Sequence, residues 1–193
     1  AVAGPQGTLY GAGSQAGTLR IITNAPSSAG FESGYDLSVG TTEGGSESYS
    51  AEGFANLPLG EKAALRIVGW HSKDGGYIDN VPATQTFSYG NITVDNAPFV
   101  EDDFNTEENT GARAALKIDL NENWTATAKV MHQRQKTNGV WDHDPEDIGD
   151  LEVARFFDDS GKDTFTQAGL SVEGKIGGLQ FTYAGSYLDR EVD

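Results

Sequence analysis

From Phe31 onward, apolar side chains recur at every second position over runs of 11 to 13 residues. A period of 2 is the signature of a β-strand with two chemically different faces. Seven such strands are predicted. The first, about 31–43, sets Tyr35, Leu37 and Val39 against Asp36, Ser38 and Gly40. The second, about 46–57, sets Tyr49, Ala51, Ala55 and Leu57 against Ser48, Ser50, Glu52 and Asn56. In the third, about 63–73, Leu65 and Ile67 oppose a parity that holds both Arg66 and Trp70, so its faces stay ambiguous. The fourth, about 110–120, alternates Ala112, Ala114, Leu116, Ile118 and Leu120 with Gly111, Arg113, Lys117 and Asp119. The fifth (124–135), sixth (164–176) and seventh (179–191) repeat the pattern through Trp124 to Val130, Ala168 to Ile176 and Leu179 to Tyr187.

These runs are about twice the usual 5–6 residues of strands in soluble sheets. A tilted strand crossing a bilayer needs roughly 9–11 residues. The connections are uneven. Pro58–Lys62, Asn121–Asn123 and Gly177–Gly178 are tight turns, whereas about 36 residues separate the third and fourth strands and about 28 the fifth and sixth. Apart from a short connection at Gly44-Gly45, turns fall at one end and long loops at the other. Outer-membrane barrels show this asymmetry. Tyr49, Trp70, Trp124 and Tyr187 sit near strand ends, where an interfacial aromatic girdle would lie. Pattern alone leaves two architectures open: a membrane barrel, and a soluble up-and-down barrel or β-sandwich.

Composition narrows the function classes. Acidic residues outnumber basic ones 29 to 13, for a net charge of −16, which disfavours a nucleic-acid partner. The chain has no cysteine, so disulfide scaffolds, thiolate zinc sites and cysteine nucleophiles are excluded. Mean hydropathy is −0.45, and no apolar run suffices for a membrane-spanning helix. Neither end carries a signal-peptide pattern, and the last residues stop on charges after a strand-like run, so the chain is expected to be an interior piece of a longer protein.

Residues 1–30 differ from the rest: Arg20 is their only side chain charged at neutral pH, and a short β run is predicted over 18–23 between Gly17 and Pro26. Their sequence from Gly4 to Pro26, Gly-Pro-Gln-Gly-Thr-Leu-Tyr-Gly followed by a small-residue stretch and Thr-Leu-Arg-Ile-Ile-Thr-Asn-Ala-Pro, resembles the end of the plug domain of TonB-dependent outer-membrane receptors. Gly4, Pro5, Gly7, Leu9, Tyr10, Gly11, Gly17, Ile21, Ile22, Thr23 and Pro26 carry the match, while Ala3 stands where many members have arginine. Residues 73–81 and Gly111–Leu116 are also similar to barrel strands of the iron-complex branch. The resemblance implies an all-β fold: the last segment of the plug in residues 1–27, then in 28–193 a partial transmembrane antiparallel β-barrel, about seven strands of a 22-stranded wall. It implies an outer-membrane active transporter that imports a scarce solute. An iron–siderophore complex is the first substrate class, with cobalamin and glycans as competitors. The implied partners are outer-membrane lipid, a small-molecule or metal-chelate substrate, and the TonB–ExbB–ExbD complex acting on a TonB box outside this chain. The alternative from a different class is a β-rich surface binding or adhesion module that transports nothing.

No catalytic constellation or cofactor signature is found. Gly11-x-Gly13-x-x-x-Gly17 lacks the dinucleotide-binding spacing, Ser14 is not in a nucleophile elbow, and His71, His132 and His143 are far apart in sequence. The loops are acidic. Asp142, Asp144, Glu146 and Asp147 offer hard oxygens at short spacing, as a cation would require, although they lack the glycine and glutamate of an EF-hand; a solvated acidic loop accounts for the same charges. Tyr77, Trp141, Phe156 and Phe157 are the candidate ligand contacts, through aromatic stacking, against the alternative that they pack the loops internally.

Overall fold

The computed structural model describes residues 2–5, 7–10, 13, 15–18 and 21–193, with the side chains of Val2, Leu9 and Tyr10 left aside. In chain order the elements are β1 (Val2–Ala3), α1 (Gly7–Tyr10), β2 (Gly17–Thr18), β3 (Glu32–Thr41), β4 (Glu47–Pro58), β5 (Ala63–Asp74), β6 (Asp79–Asn80), β7 (Thr84–Phe87), β8 (Ile92–Asp95), β9 (Glu107–Asn121), β10 (Trp124–Asn138), β11 (Glu152–Val153), β12 (Ser160–Ile176) and β13 (Leu179–Val192). Among the described residues a 3₁₀ turn covers Ala97–Phe99.

The seven long strands form one antiparallel sheet in the order β13-β12-β10-β9-β5-β4-β3, so each pairs with its neighbour in sequence. All seven match the predicted runs, with β9, β10 and β12 extended to 15, 15 and 17 residues. The turn between β12 and β13 holds two residues, and its first, Gly177, has φ +60°, a conformation that favours glycine.

The register sorts the side chains onto two faces. One row across the sheet runs Leu57, Leu65, Leu116, Ala128, Leu170. A row from the opposite face runs Asn56, Arg66, Ala115, Lys129, Gly169. The third strand's ambiguity is thereby settled: Leu65 and Ile67 join the apolar face, and Arg66 and Trp70 join the polar one. Trp70 is a correction to the girdle expectation. Its parity places it beside Arg113 and Gly111, where its ring lies 2.3 Å from the position a Cβ on Gly111 would take and its Nε1 donates to Asn109 Oδ1 at 3.2 Å. Trp124 and Phe181 do meet on the apolar face at the tight-turn end (5.7 Å between centroids), and Tyr49 and His71 meet toward the other end (5.6 Å).

The apolar face has no covering layer among the described residues. Leu37 is 69% exposed and Leu170 46%. The chain's accessible surface is 13301 Å², whereas a compact monomer of this mass would show about 8,900 Å². Sheets in soluble domains bury one face against a second layer; this one does not.

The predicted β run over 18–23 is not found as such. Among the described residues of this run, Gly17–Thr18 has strand geometry, paired with Val2–Ala3, while Ile21, Ile22 and Thr23 carry no strand and are exposed. Leu19 and Arg20 lie outside the described residues, as does Gly11 of the plug-like motif. An isolated strand has no ladder to satisfy its backbone groups, and no segment among the described residues pairs with Ile21–Thr23.

Candidate functional site

Two features remain once the sheet is in place: a folded cap of loops at one end and the entry segment 23–30 on the polar face. Strands β5 and β10 end, and β9 and β12 begin, at the same edge, so the long connections 75–106 and 139–159 emerge together. There they pair, β6 with β11, in parallel. Ile78, Phe104 and Val153 form a buried cluster between them, with Tyr77 and Leu151 packed against it.

Buried asparagines satisfy loop backbone groups that the short β6–β11 and β7–β8 pairings leave over. Asn80 Oδ1 accepts from the Arg155 N–H at 2.7 Å, and its Nδ2 donates to the carbonyls of Phe99 (2.6 Å) and Arg155 (3.3 Å). Asn105 Oδ1 accepts from the N–H groups of Tyr77 (2.7 Å) and Ile78 (2.8 Å). Asn96 joins Ala83 to Val81 in the same manner. Gly76 lies so close to the Asp103 carbonyl that a Cβ would fall 1.8 Å from the oxygen, so only glycine fits there. The short β3–β4 turn joins the cap through Ser46 N–H to Gly76 O, 2.9 Å.

The candidate ligand contacts divide on this frame. Tyr77 packs on the buried cluster, which is the loop-packing alternative, and Phe156 is half-buried. Trp141 (77% exposed) and Phe157 (57% exposed) remain free, at the rim of an open bowl of about 630 Å³ that also includes Asp142, Arg155 and Asp159. Arg155 is held by Asp142 at 3.1 Å and lies 3.8 Å from Asp159. The four candidate cation ligands are not gathered. Asp142 faces Arg155, Asp144 Oδ1 accepts from the Asp147 N–H at 3.3 Å, and no group of three or more potential ligands forms among the described residues. The segment closes on itself instead: the N–H groups of Ile148 and Gly149 both reach the Asp144 carbonyl at 3.0 Å.

At the opposite end, Asn56, 1% exposed on the polar face, receives the chain entering the sheet. Its Oδ1 accepts from the Ser27 N–H at 2.9 Å, and its Nδ2 donates to the carbonyls of Ser27 (2.8 Å) and Gly30 (2.9 Å). Pro26 is buried beside it, and Thr23 reaches a cavity over the polar faces of β9, β10 and β12. Residues 23–30 therefore run along the polar side of the sheet and enter it from the tight-turn end. Within the plug-like motif, Gly4 (φ +83°) and Gly17 (φ +146°) have backbone conformations that favour glycine, Gly7 opens α1, and Pro5 is exposed.

Sequence reasoning missed the asparagines, because any loop asparagine looks alike until its partners are known. It also passed over the β7–β8 hairpin, whose signal was present: Thr-Gln-Thr-Phe and Ile-Thr-Val-Asp flank Tyr89-Gly90-Asn91, with positive φ at Gly90 and Asn91. No family model matches the chain, and neither the curated proteins nor the solved structures contain a match to it.

Proposed function

We propose that the chain is a wall segment of a TonB-dependent outer-membrane transporter, with the end of the plug in its first residues. The observation that carries this reading is the two-faced sheet: an uncovered apolar band on one side, and on the other a polar surface along which residues 23–30 run. In β9, β12 and β13 the band spans nine residues each (112–120, 168–176, 179–187), close to what a tilted strand needs to cross a bilayer. In this reading lipid covers the apolar face, and the polar face lines the lumen. The tight turns are periplasmic, and the loop cap stands outside as part of the ligand mouth. The work is binding and passage rather than catalysis. The substrate is a scarce, bulky solute of the metal-chelate class, and the pull comes from the inner-membrane TonB complex. Trp141 and Phe157 are the mouth residues best placed to stack on it.

The three tryptophans allow a direct test, because only Trp124 lies on the apolar face. In vesicles of brominated phospholipid, the double variant Trp70→Phe/Trp141→Phe, whose emission comes from Trp124, should be strongly quenched. Trp124→Phe should be quenched little. Equal quenching of the two, or a chain that stays monomeric with a cooperative melt in plain buffer, would favour the surface-binding module instead.

A further inference from the structure

On the polar face the register gathers positive charge around one small side chain. Arg66 on β5 and Lys129 on β10 both lie opposite Ala115, and Arg113 precedes Ala115 by two residues on β9. Arg113 is thus a diagonal neighbour of both, at a separation of about 7–8 Å and somewhat less between Cβ atoms. Ala115 is buried and Gly169 lies on the far side of Lys129, while Met131, directly opposite Arg113, is a larger side chain beside the pair and lines the same cavity.

The other cations of this region are engaged. Arg66 meets Glu32 at 3.4 Å and stacks on Phe54, 4.0 Å from the ring centroid. Lys117 meets Asp119 at 3.7 Å. Arg113 and Lys129 have no hydrogen bond or ion pair within contact distance of another described residue, although the Glu52 carboxylate on β4 acts on Arg113 through space, and both border a cavity of about 260 Å³. Thr23, Gln167, Ser171 and Ser186 complete its polar lining with hydroxyls and an amide. A guanidinium fork and an ammonium beside hydroxyl donors are complementary to carboxylate oxygens. The volume lies just under the roughly 300–1,000 Å³ of drug-sized pockets, which suits a small ligand. With a net charge of −16, the chain as a whole repels anions. Anion binding must therefore come from local geometry.

We propose that Arg113 and Lys129 form a binding site for a small polycarboxylate anion on the polar face of the sheet. This does not depend on what covers the apolar face. Citrate is the probe, titrated calorimetrically at low ionic strength into the chain held in uncharged detergent micelles. The expected result is one saturable site, weakened at least tenfold by Arg113→Gln and by Lys129→Gln. Lys175→Gln removes the same charge from an exposed position near the β12–β13 turn and should change affinity less than twofold. Lys129 is exposed, so its variant keeps the test valid even if Arg113→Gln fails to fold. Inorganic phosphate should bind at least tenfold more weakly than citrate; equal binding overturns the polycarboxylate assignment. Absence of saturable citrate binding, or equal weakening by Lys129→Gln and Lys175→Gln, overturns the site.

Discussion

The sheet and the loop cap solve opposite problems. The sheet has seven regular strands whose backbone groups are satisfied by their ladders, yet almost none of its apolar surface is buried. The cap is irregular, with only two-residue and four-residue strands, yet it contains the molecule's hydrophobic cluster and several fully buried polar side chains. In the sheet, hydrogen bonding is supplied locally and the hydrophobic contribution has to come from outside the chain. In the cap, the apolar contacts are internal, and side-chain amides supply the hydrogen bonds that a ladder would have made. Regular secondary structure is therefore a poor guide to where this chain is self-sufficient.

The largest expected effect comes from changing what the apolar face meets. Leu170 lies in the row Leu57, Leu65, Leu116, Ala128, toward the middle of the band. In lipid, Leu170→Arg should cost about 2–4 kcal/mol, the penalty for arginine near a bilayer midplane. Thr182→Arg, on the polar face opposite Glu173, should cost less than about 0.5 kcal/mol, as for an ordinary surface change. Guanidinium unfolding of the vesicle-bound chain reads both. Equal costs would mean that the two faces share one environment, and the contrast between sheet and cap would lose its basis.

A smaller and local effect is expected in the cap. Asn80→Ala leaves the Arg155 N–H and the Phe99 carbonyl without their partner inside a buried site, which costs about 1–3 kcal/mol. The loss should appear as faster amide hydrogen exchange in 75–106 and 139–159, with exchange in the β9–β10 and β10–β12 ladders unchanged. If those ladders also opened faster, the cap and sheet would be one cooperative unit rather than two.

The sheet was legible in sequence because its code is local: alternation fixes each strand and its faces, and short turns fix which strands pair. Arg66 and Trp70 looked contradictory only while strand three was read alone; the register with Asn56 and Ala115 places them on one polar surface. The cap was not legible, because its β6–β11 pair joins residues more than 70 apart, and its asparagines are specified by backbone groups that converge only after folding. The positive patch was hidden for a related reason. Arg66, Arg113 and Lys129 are unremarkable in sequence and become neighbours only through the ladder. The run at 18–23 erred in the other direction: β-branched residues satisfy the propensity, but a strand also needs a partner, and Ile21–Thr23 have none among the described residues.

The smallest effect distinguishes the margin of the sheet from its middle. On β12 the apolar band starts at Ala168, and five residues beyond it Asp163, opposite Val192 in the ladder, meets Arg190 of β13 diagonally at the loop-end margin. Arg190 Nε donates to Asp163 Oδ1 at 2.9 Å, and Nη2 donates to Oδ2. This hydrogen bonding, reinforced by the guanidinium charge and opposed by a smaller desolvation effect, holds the Asp163 carboxyl below its ordinary range. A depressed folded-state value means that the stabilisation is complete above the unfolded-state value near 4 and is lost as pH falls through the lower folded one. The pair is open to water and screened, so the effect is confined to fraying. Acidification from pH 6 to 3 should therefore lower the protection factors, taken against the intrinsic exchange rate at each pH, of amides at the outer ends of β12 and β13, where Lys162 and Asp193 exchange two backbone hydrogen bonds, and leave that of Val172 unchanged. Arg190→Gln should remove most of that pH dependence. If the dependence persisted undiminished in the variant, another carboxylate would be its source, and the margin would owe its order to the ladder alone.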